Sequence, residues 1–504
     1  MALWFNEKIN CFKHLRNLEE QREVLSDIKI KLTSLNNREL GEIAQSADLS
    51  IVFSELTTNG REAGHELCEI LKTLLNALVP GEIYRKYQSD LFSLLSHPNE
   101  DVRWLMLNEI ERMASTDSVN YLIQNNNLLL FLIDRVADDN LRTAKIAMKI
   151  LEKVGLTTTG LNSLYTGECM SRIARLLSKN DTVSFRIYEI IIGICLGTRD
   201  GFEASIRSGF LNSLIGIIDN DDVLLQLIAL EALTQLSISE EGINYLDEQG
   251  VVRKLAQKVA DANEDPLTKI LIPGLMKFFG NVTRHWPHEI FSKYPFIITA
   301  LFEIIQSDDL SLLAVALDTL GYVAFPVVGK YALSTMNDFM VPALKRMVDI
   351  IMKMPTEFKI KGLQNLSAIL QVPEDQYDKR ICTLTQSWFD NLCDDPMRFL
   401  FDQCQKPFPD IRQASLELLN VLACQVWGKR YIASYPGFIE FLLNRRAESF
   451  EGCKEAKFLI VKNLSDVESD IFDASTKQKF IEYVQQGPFY IDKDPEVAVE
   501  NVPT

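Results

Sequence analysis

Residues 220–237 read NDDVLLQLIALEALTQLS: two aspartates, then a run of leucine, isoleucine and alanine with almost no charge. Gln226 and Glu231 interrupt the apolar run, which is therefore too short and too polar for the roughly 18–20 uninterrupted residues that a bilayer core demands. Leu224, Leu227, Ile228, Leu230, Leu233 and Leu236 recur with helical spacing, and residues 220–222 supply N-cap candidates. The pattern predicts a helix that is apolar around most of its girth and must be sandwiched between neighbours.

The same pattern recurs along the chain. Short polar turns open into apolar helical runs in PNEDVRWLMLNEI, DDNLRTAKIAMKIL, NDTVSFRIYEIII, EDPLTKILIPGL, SDDLSLLAVALDTL, PTEFKIKGLQNL and PFPDIRQASLELL. With the opening stretch, the first apolar residues after the turns are Val102, Leu141, Val183, Val223, Leu267, Leu310, Phe358 and Ile411, spaced 39 to 53 residues apart. Shorter amphipathic segments precede several turns: GFLNSLIGIID from Gly209, GVVRKLAQKVA from Gly250, PFIITALFEII from Pro295 and FMVPALKRMVDII from Phe339. A unit of about 40 residues holding one amphipathic and one greasier helix is the signature of armadillo or HEAT repeats, which bury a continuous core only by stacking. The fold class expected is all-α, an armadillo/HEAT-like repeat superhelix, or solenoid. The expected layout is an N-terminal helical cap over 1–59, the repeat array over 60–465, and a C-terminal helical cap with a frayed acidic tail over 466–504. Within the first cap, Ile9, Phe12, Leu15 and Leu18, then Leu25, Ile28, Leu32 and Leu35, mark an amphipathic helical segment.

Composition narrows the functional classes. A formal charge of −17 disfavours a general nucleic-acid or anionic-membrane binder, since both need basic surface, and favours a partner that presents basic surface. The nine scattered cysteines lack any CxxC and fit a reducing compartment, and MALWFNEKIN is no secretory signal. The expected location is the cytoplasm, with the nucleus also open. Asp139, Asp222 and Asp309 are read as N-caps of the repeat helices, and as an acidic rim where equivalent turns align.

No catalytic signature emerges. Gly329-Lys330 and Gly428-Lys429 are followed by Tyr and Arg, so neither completes a phosphate-binding loop, and neither HExxH nor GxSxG occurs. His285 and His288 in RHWPH fit a loop or helix end better than a metal site, and Cys382, Cys393 and Cys404 read as small buried hydrophobes. The expectation is no enzyme, no cofactor and no metal. The WxxxN ladder of peptide-transporting armadillo proteins is matched only by Trp104 and Asn108, and Trp104 is read as a core residue. In LIPGLMKFFGNVTRHWP, residues 271–287, Leu275, Phe278, Phe279 and Val282 form a buried face. Lys277, Asn281 and Arg284 then share the opposite face, either as an ordinary solvated stripe or as a cationic stripe that grips a partner's carboxylates.

Three blocks carry a family resemblance: IPGLMKFFGNV at 272–282, the run from CDDPMRFLFDQC through YPGFIEFLLNR at 393–445, and QQGPFYI at 485–491. In their order and spacing the chain resembles the non-ATPase regulatory subunit 5 family of the 26S proteasome across nearly its whole length. The resemblance implies a chaperone for assembly of the 19S regulatory-particle base. Such a protein binds the C-terminal domain of one Rpt-class ATPase subunit, helps to pair it with a neighbouring ATPase and the base scaffold subunit, hinders premature docking on the 20S core, and leaves before the particle matures. It implies a monomer when free, with neither nucleic acid nor membrane as partner. The alternative is a general armadillo-repeat scaffold or transport adaptor for a basic protein. No short family motif assigns roles residue by residue, so Lys277, Asn281 and Arg284 rest on helical phase alone.

Overall fold

The computed structural model describes residues 2–15, 17–59, 64–262, 265–446, 448–465 and 471–490; the acidic tail after Asp494 lies outside them. The described residues form helices joined by short turns, with no strand among them. The chain folds as two compact units, Met1–Leu236 and Ser237–Thr504. In each, a row of longer helices packs side by side like rungs. In the first unit these are α1 (Glu100–Ala114), α2 (Leu141–Gly155), α3 (Asp181–Gly197) and α4 (Val223–Leu236). In the second they are α5 (Ile272–His285), α6 (Leu310–Ala324), α7 (Thr356–Leu370), α8 (Pro409–Ala423) and α9 (Glu451–Ser465). The amphipathic segments from Gly209, Gly250, Pro295 and Phe339 are helices too, at Phe210–Gly216, Val251–Asp261, Pro295–Gln306 and Asn337–Lys353. Gly209 and Gly250 open theirs in the left-handed region, at φ 79° and 72°, where a side chain would be strained.

Local capping explains the rung starts. Asn99, Asn140 and Asn180 cap α1, α2 and α3 by accepting from amides of the first turn, and Asp222 and Asp309 accept from Leu224 N and Ser311 N at 2.8 and 3.0 Å. Such caps contribute about 0.5–2 kcal/mol each. Asp139 was expected to cap α2, but Asn140 stands one residue nearer the first turn and takes the role. Leu267 also differs from expectation. It lies in a one-turn helix, Pro266–Lys269, and α5 starts only at Ile272, because Pro273 has no amide for an interior helical bond and fits only the first turn. The N-terminal segment is likewise broken, into Ala2–His14, Leu18–Thr33 and Asn37–Ser46. Asn17 caps the second piece, and Asn36 with Glu39 forms a capping box on the third.

The opening helix α4 is not sandwiched all round. Ala229, Leu230, Leu233 and Leu236 are buried, but Leu224 and Ile228 are 67% and 45% exposed. As the last rung of its unit, α4 packs on α3 and on the segment 210–219, leaving its far flank uncovered within that unit. Trp104 is also only half-buried: the Arg142 guanidinium lies 3.8 Å from its ring centroid, so the ring faces outward under a cation rather than into the core.

The rung ends are held by a repeated turn. After α6 the chain bends by 109° into the helix Val327–Ser334. A Cβ at Gly329 would fall inside contact distance of the Val323 carbonyl oxygen, so only glycine permits the approach. Gly160, Gly201 and Gly428 stand in the same relation to the carbonyls of Val154, Ile194 and Leu422. Thr157, Thr198 and Ser239 cap the helices that follow α2, α3 and α4 by accepting from the amides of Gly160, Gly201 and Gly242. In the second unit, buried side chains satisfy the rung-end carbonyls. Lys330 Nζ lies within donating distance of Ala324 O, of Phe325 O at 3.1 Å and of Ala368 O at 3.1 Å, and the neutral amine serves two of the three at a time, tying the ends of α6 and α7 together. Gln425 Nε2 donates to Leu370 O at 2.8 Å, while its Oε1 accepts from Thr385 Oγ1 and Trp427 Nε1, each at 2.8 Å.

Burial pushes the Lys330 ammonium down to about 7 from the ordinary 10.5. Between those values the unfolded chain holds the proton that the folded chain releases, so this group's contribution to stability is complete above 10.5 and is lost as pH falls through about 7. Lys330→Met removes the titration and leaves the rung-end carbonyls unpaired, at a cost of about 1–3 kcal/mol. In urea unfolding, the advantage of the unsubstituted chain over Lys330→Met should grow as pH is raised from about 7 to about 9, by at most roughly 1.4 kcal/mol per pH unit. A difference that is flat with pH contradicts this account.

Candidate partner-binding face

The second unit exposes one side of its rungs, and polar groups lace that side from helix to helix. On α5, Phe278, Phe279, Val282 and Leu275 are buried, which fixes Lys277, Asn281 and Arg284 on the outer stripe as helical phase requires. Lys277 is exposed. Asn281 is half-buried and donates through Nδ2 to Ser237 Oγ at 3.2 Å. Arg284 is half-buried as well, with its guanidinium 4.4 Å from the ring centroid of Tyr322 and 5.2 Å from that of Phe325. The three residues share one stripe, and Asn281 and Arg284 also bond within their own unit.

Further along, Lys361 of α7 pairs with Asp318 of α6 at 2.5 Å, and Asn365 Nδ2 donates to Asp318 Oδ1 at 3.3 Å and to Lys361 O at 2.8 Å. Asn365 can lie there because Gly321 on α6 has no Cβ to meet its amide oxygen. Asn463 of α9 donates to Asn420 Oδ1 of α8 at 2.9 Å. The sequence reading found the α5 stripe but not this continuation. Asp318, Tyr322, Lys361 and Asn365 are ordinary surface types that gain meaning only once adjacent rungs are aligned. The face therefore offers cations, amides, a carboxylate and half-exposed aromatic rings on a rigid helical support. These groups are spread over adjacent rungs rather than gathered in one deep pocket.

The groups considered for chemistry are placed differently. His285 ends α5, with Nε2 3.0 Å from Ile238 O, and His288 lies in the next helix, Pro287–Lys293. Cys404 is buried, whereas Cys382 and Cys393 are partly exposed. Burial pushes the thiols of Cys68, Cys195 and Cys453 up to about 12, about 11 and about 11, which favours the protonated, unreactive form. Among the described residues no group of three or more His, Cys, Asp or Glu side chains is arranged to hold a metal ion. No single helix among them is long and apolar enough to cross a membrane.

Comparison with known proteins places this architecture. The family described as "Proteasome non-ATPase 26S subunit" matches residues 1–503. The 26S proteasome non-ATPase regulatory subunit 5 of Homo sapiens is 30% identical over 498 residues, covering 98% of this chain and 99% of the relative. The protein of the same name from Bos taurus gives the same identity and coverage. Among solved structures, importin beta aligns with a TM-score of 0.62 at 10% identity, covering 95% of this chain and 67% of that one. The structural likeness shows the fold, an armadillo/HEAT-like helical solenoid.

The contact of Arg284 with Tyr322 is open to measurement. In a double-mutant cycle with Arg284→Ala and Tyr322→Leu, the coupling energy from chemical unfolding should be about 0.5–1 kcal/mol. Additive substitutions would mean that the guanidinium points away from the rings in solution.

Proposed function

This chain belongs to the 26S proteasome non-ATPase regulatory subunit 5 family, and from that premise we propose that it is a chaperone for assembly of the 19S regulatory-particle base. In this reading it binds the C-terminal domain of an Rpt-class ATPase subunit together with the base scaffold subunit, as a non-catalytic monomer in the cytoplasm. The mechanism is steric and adhesive. A stack of helices held on an ATPase hinders early docking on the 20S core and is released when the contacts of the mature particle compete for the same surface.

The observation that carries the proposal is the similarity over 498 residues, which spans both units rather than a single repeat. The polar face on α5, α6 and α7 agrees with it. A transient partner needs a surface whose contacts are individually weak and exchangeable with water, and Lys277, Asn281 and Arg284 would contribute charge-assisted hydrogen bonds there. Steering by the −17 charge favours a client that presents basic surface. The importin-like fold lends no support to a transport role, because folds of this kind host many functions.

The test is calorimetric titration of the chain with the isolated C-terminal domain of each proteasomal ATPase at low and moderate salt. Saturable binding to one or two domains, weakened by salt and weakened at least several-fold by Lys277→Glu, is the expected result. Arg284→Glu should weaken binding too, with a modest loss of stability because its ring contacts go with it. Silence from every ATPase domain would overturn the chaperone reading and leave a scaffold for another partner.

A further inference from the structure

A groove of about 390 Å³ opens between α3 and α4 of the first unit. Its α3 wall is a single helical stripe, in which Asp181, Phe185, Glu189 and Ile192 recur every three or four residues. Ile228 and Ala232, one turn apart, line the α4 side together with Glu231. Ile192 is buried and forms the floor, Phe185 is half-buried and Ile228 is 45% exposed, so apolar surface lies open along the middle. Asp181 and Glu189 are exposed, one turn to either side of Phe185.

Neither Asp181 nor Glu189 forms a hydrogen bond or an ion pair among the described residues. Arg186 also borders the groove, but its Nη1 donates to Val136 O at 2.9 Å and to Asp138 O at 3.0 Å, which commits it to the turn before α2. Glu152 of α2 adds a further carboxylate. It lies over Gly193, one turn along α3 from Glu189, where a Cβ would stand 2.6 Å from its Oε1. Burial and then the charge of Glu189 raise the Glu152 pKa, against the pull of Lys153, whose ammonium is paired with Glu111. Negative charge is thus held close to negative charge beside an open apolar strip, a strain that a bound cation relieves.

We propose that this groove docks an extended segment of a partner protein in which an apolar side chain has a lysine or arginine two residues before it and another two residues after it. In an extended chain, residues i, i+2 and i+4 face the same way at intervals of about 6.6 Å. On α3 the positions of Asp181, Phe185 and Glu189 follow one another at about 6 Å, so cation, apolar group and cation meet carboxylate, ring and carboxylate in register. An acidic segment is repelled there, and an uncharged one leaves both carboxylates without partners. The net charge of −17 adds long-range attraction for the same kind of segment. The groove belongs to the first unit and the polar face of α5 to α7 to the second, so the assignment stands whether or not an ATPase is the client.

The full chain, isotopically labelled at isoleucine δ1 methyl groups, is titrated by NMR with the peptide Lys-Ser-Leu-Ser-Lys, blocked at both ends. Glu-Ser-Leu-Ser-Glu and Lys-Ser-Ser-Ser-Lys serve as controls for charge and for the apolar residue. Saturable shifts of the Ile192 and Ile228 methyl signals are expected with the first peptide, and at least ten-fold weaker binding with either control. Asp181→Asn and Glu189→Gln should each weaken binding several-fold and together at least ten-fold, while methyl signals remote from α3 and α4 keep their positions. Absence of saturable shifts at Ile192 and Ile228, equal binding of either control peptide, or indifference to the double substitution would overturn the assignment.

Discussion

The close approach of a glycine to a rung-end carbonyl is the constraint on which the rest of the structure depends. An α-helix leaves its last carbonyls without intrahelical partners, and a stack of helices joined by tight turns must satisfy them without room for water. At Gly160, Gly201, Gly329 and Gly428 the chain folds back so closely on the preceding rung that a Cβ would meet its carbonyl oxygen. In the second unit the remaining acceptors are served by Lys330 and Gln425, which reach from the flanking helices to the ends of α6 and α7. Closed turns fix where each rung ends, and with that the register in which its outer residues meet those of the next.

That register gives the outer side its character. Arg284 over Tyr322, Lys361 with Asp318 and Asn463 with Asn420 each join neighbouring rungs. The groups available to a partner are thus held by the same contacts that hold the stack, and a partner that binds them competes with weak surface interactions rather than with core packing. Such contacts agree with the transient binding proposed above.

Much of the fold was legible because its signals are local. A polar cap followed by an apolar residue located the starts of α1 to α4 and α6 to α8 within a few residues. Where a second local rule competed, the reading slipped: Pro273 delayed α5, and Asn140 displaced Asp139. The start of α9, after the polar run 444–449, follows the same pattern but was not among the anchors. Apolar composition could not reveal how many neighbours α4 has, or that Trp104 lies under Arg142, because both depend on packing across rungs. One signal was present and unread. Thr157, Thr198 and Ser239 each stand three residues before a glycine and 41 residues apart, a spacing that marks the turns directly. For the candidate face, helical phase placed Lys277, Asn281 and Arg284 on one stripe, while their bonds to Ser237, Tyr322 and Phe325 arise from contacts far apart in sequence.

Native-state hydrogen exchange on the unsubstituted chain and on Gly329→Ala tests the central claim most directly. If the closed turn sets the cohesion of the rungs, the added methyl group should lower the opening free energies of α6 and α7 together and by similar amounts, since Lys330 ties both ends to the same turn. Loss of protection confined to the short helix Val327–Ser334, with α6 and α7 unchanged, would contradict it.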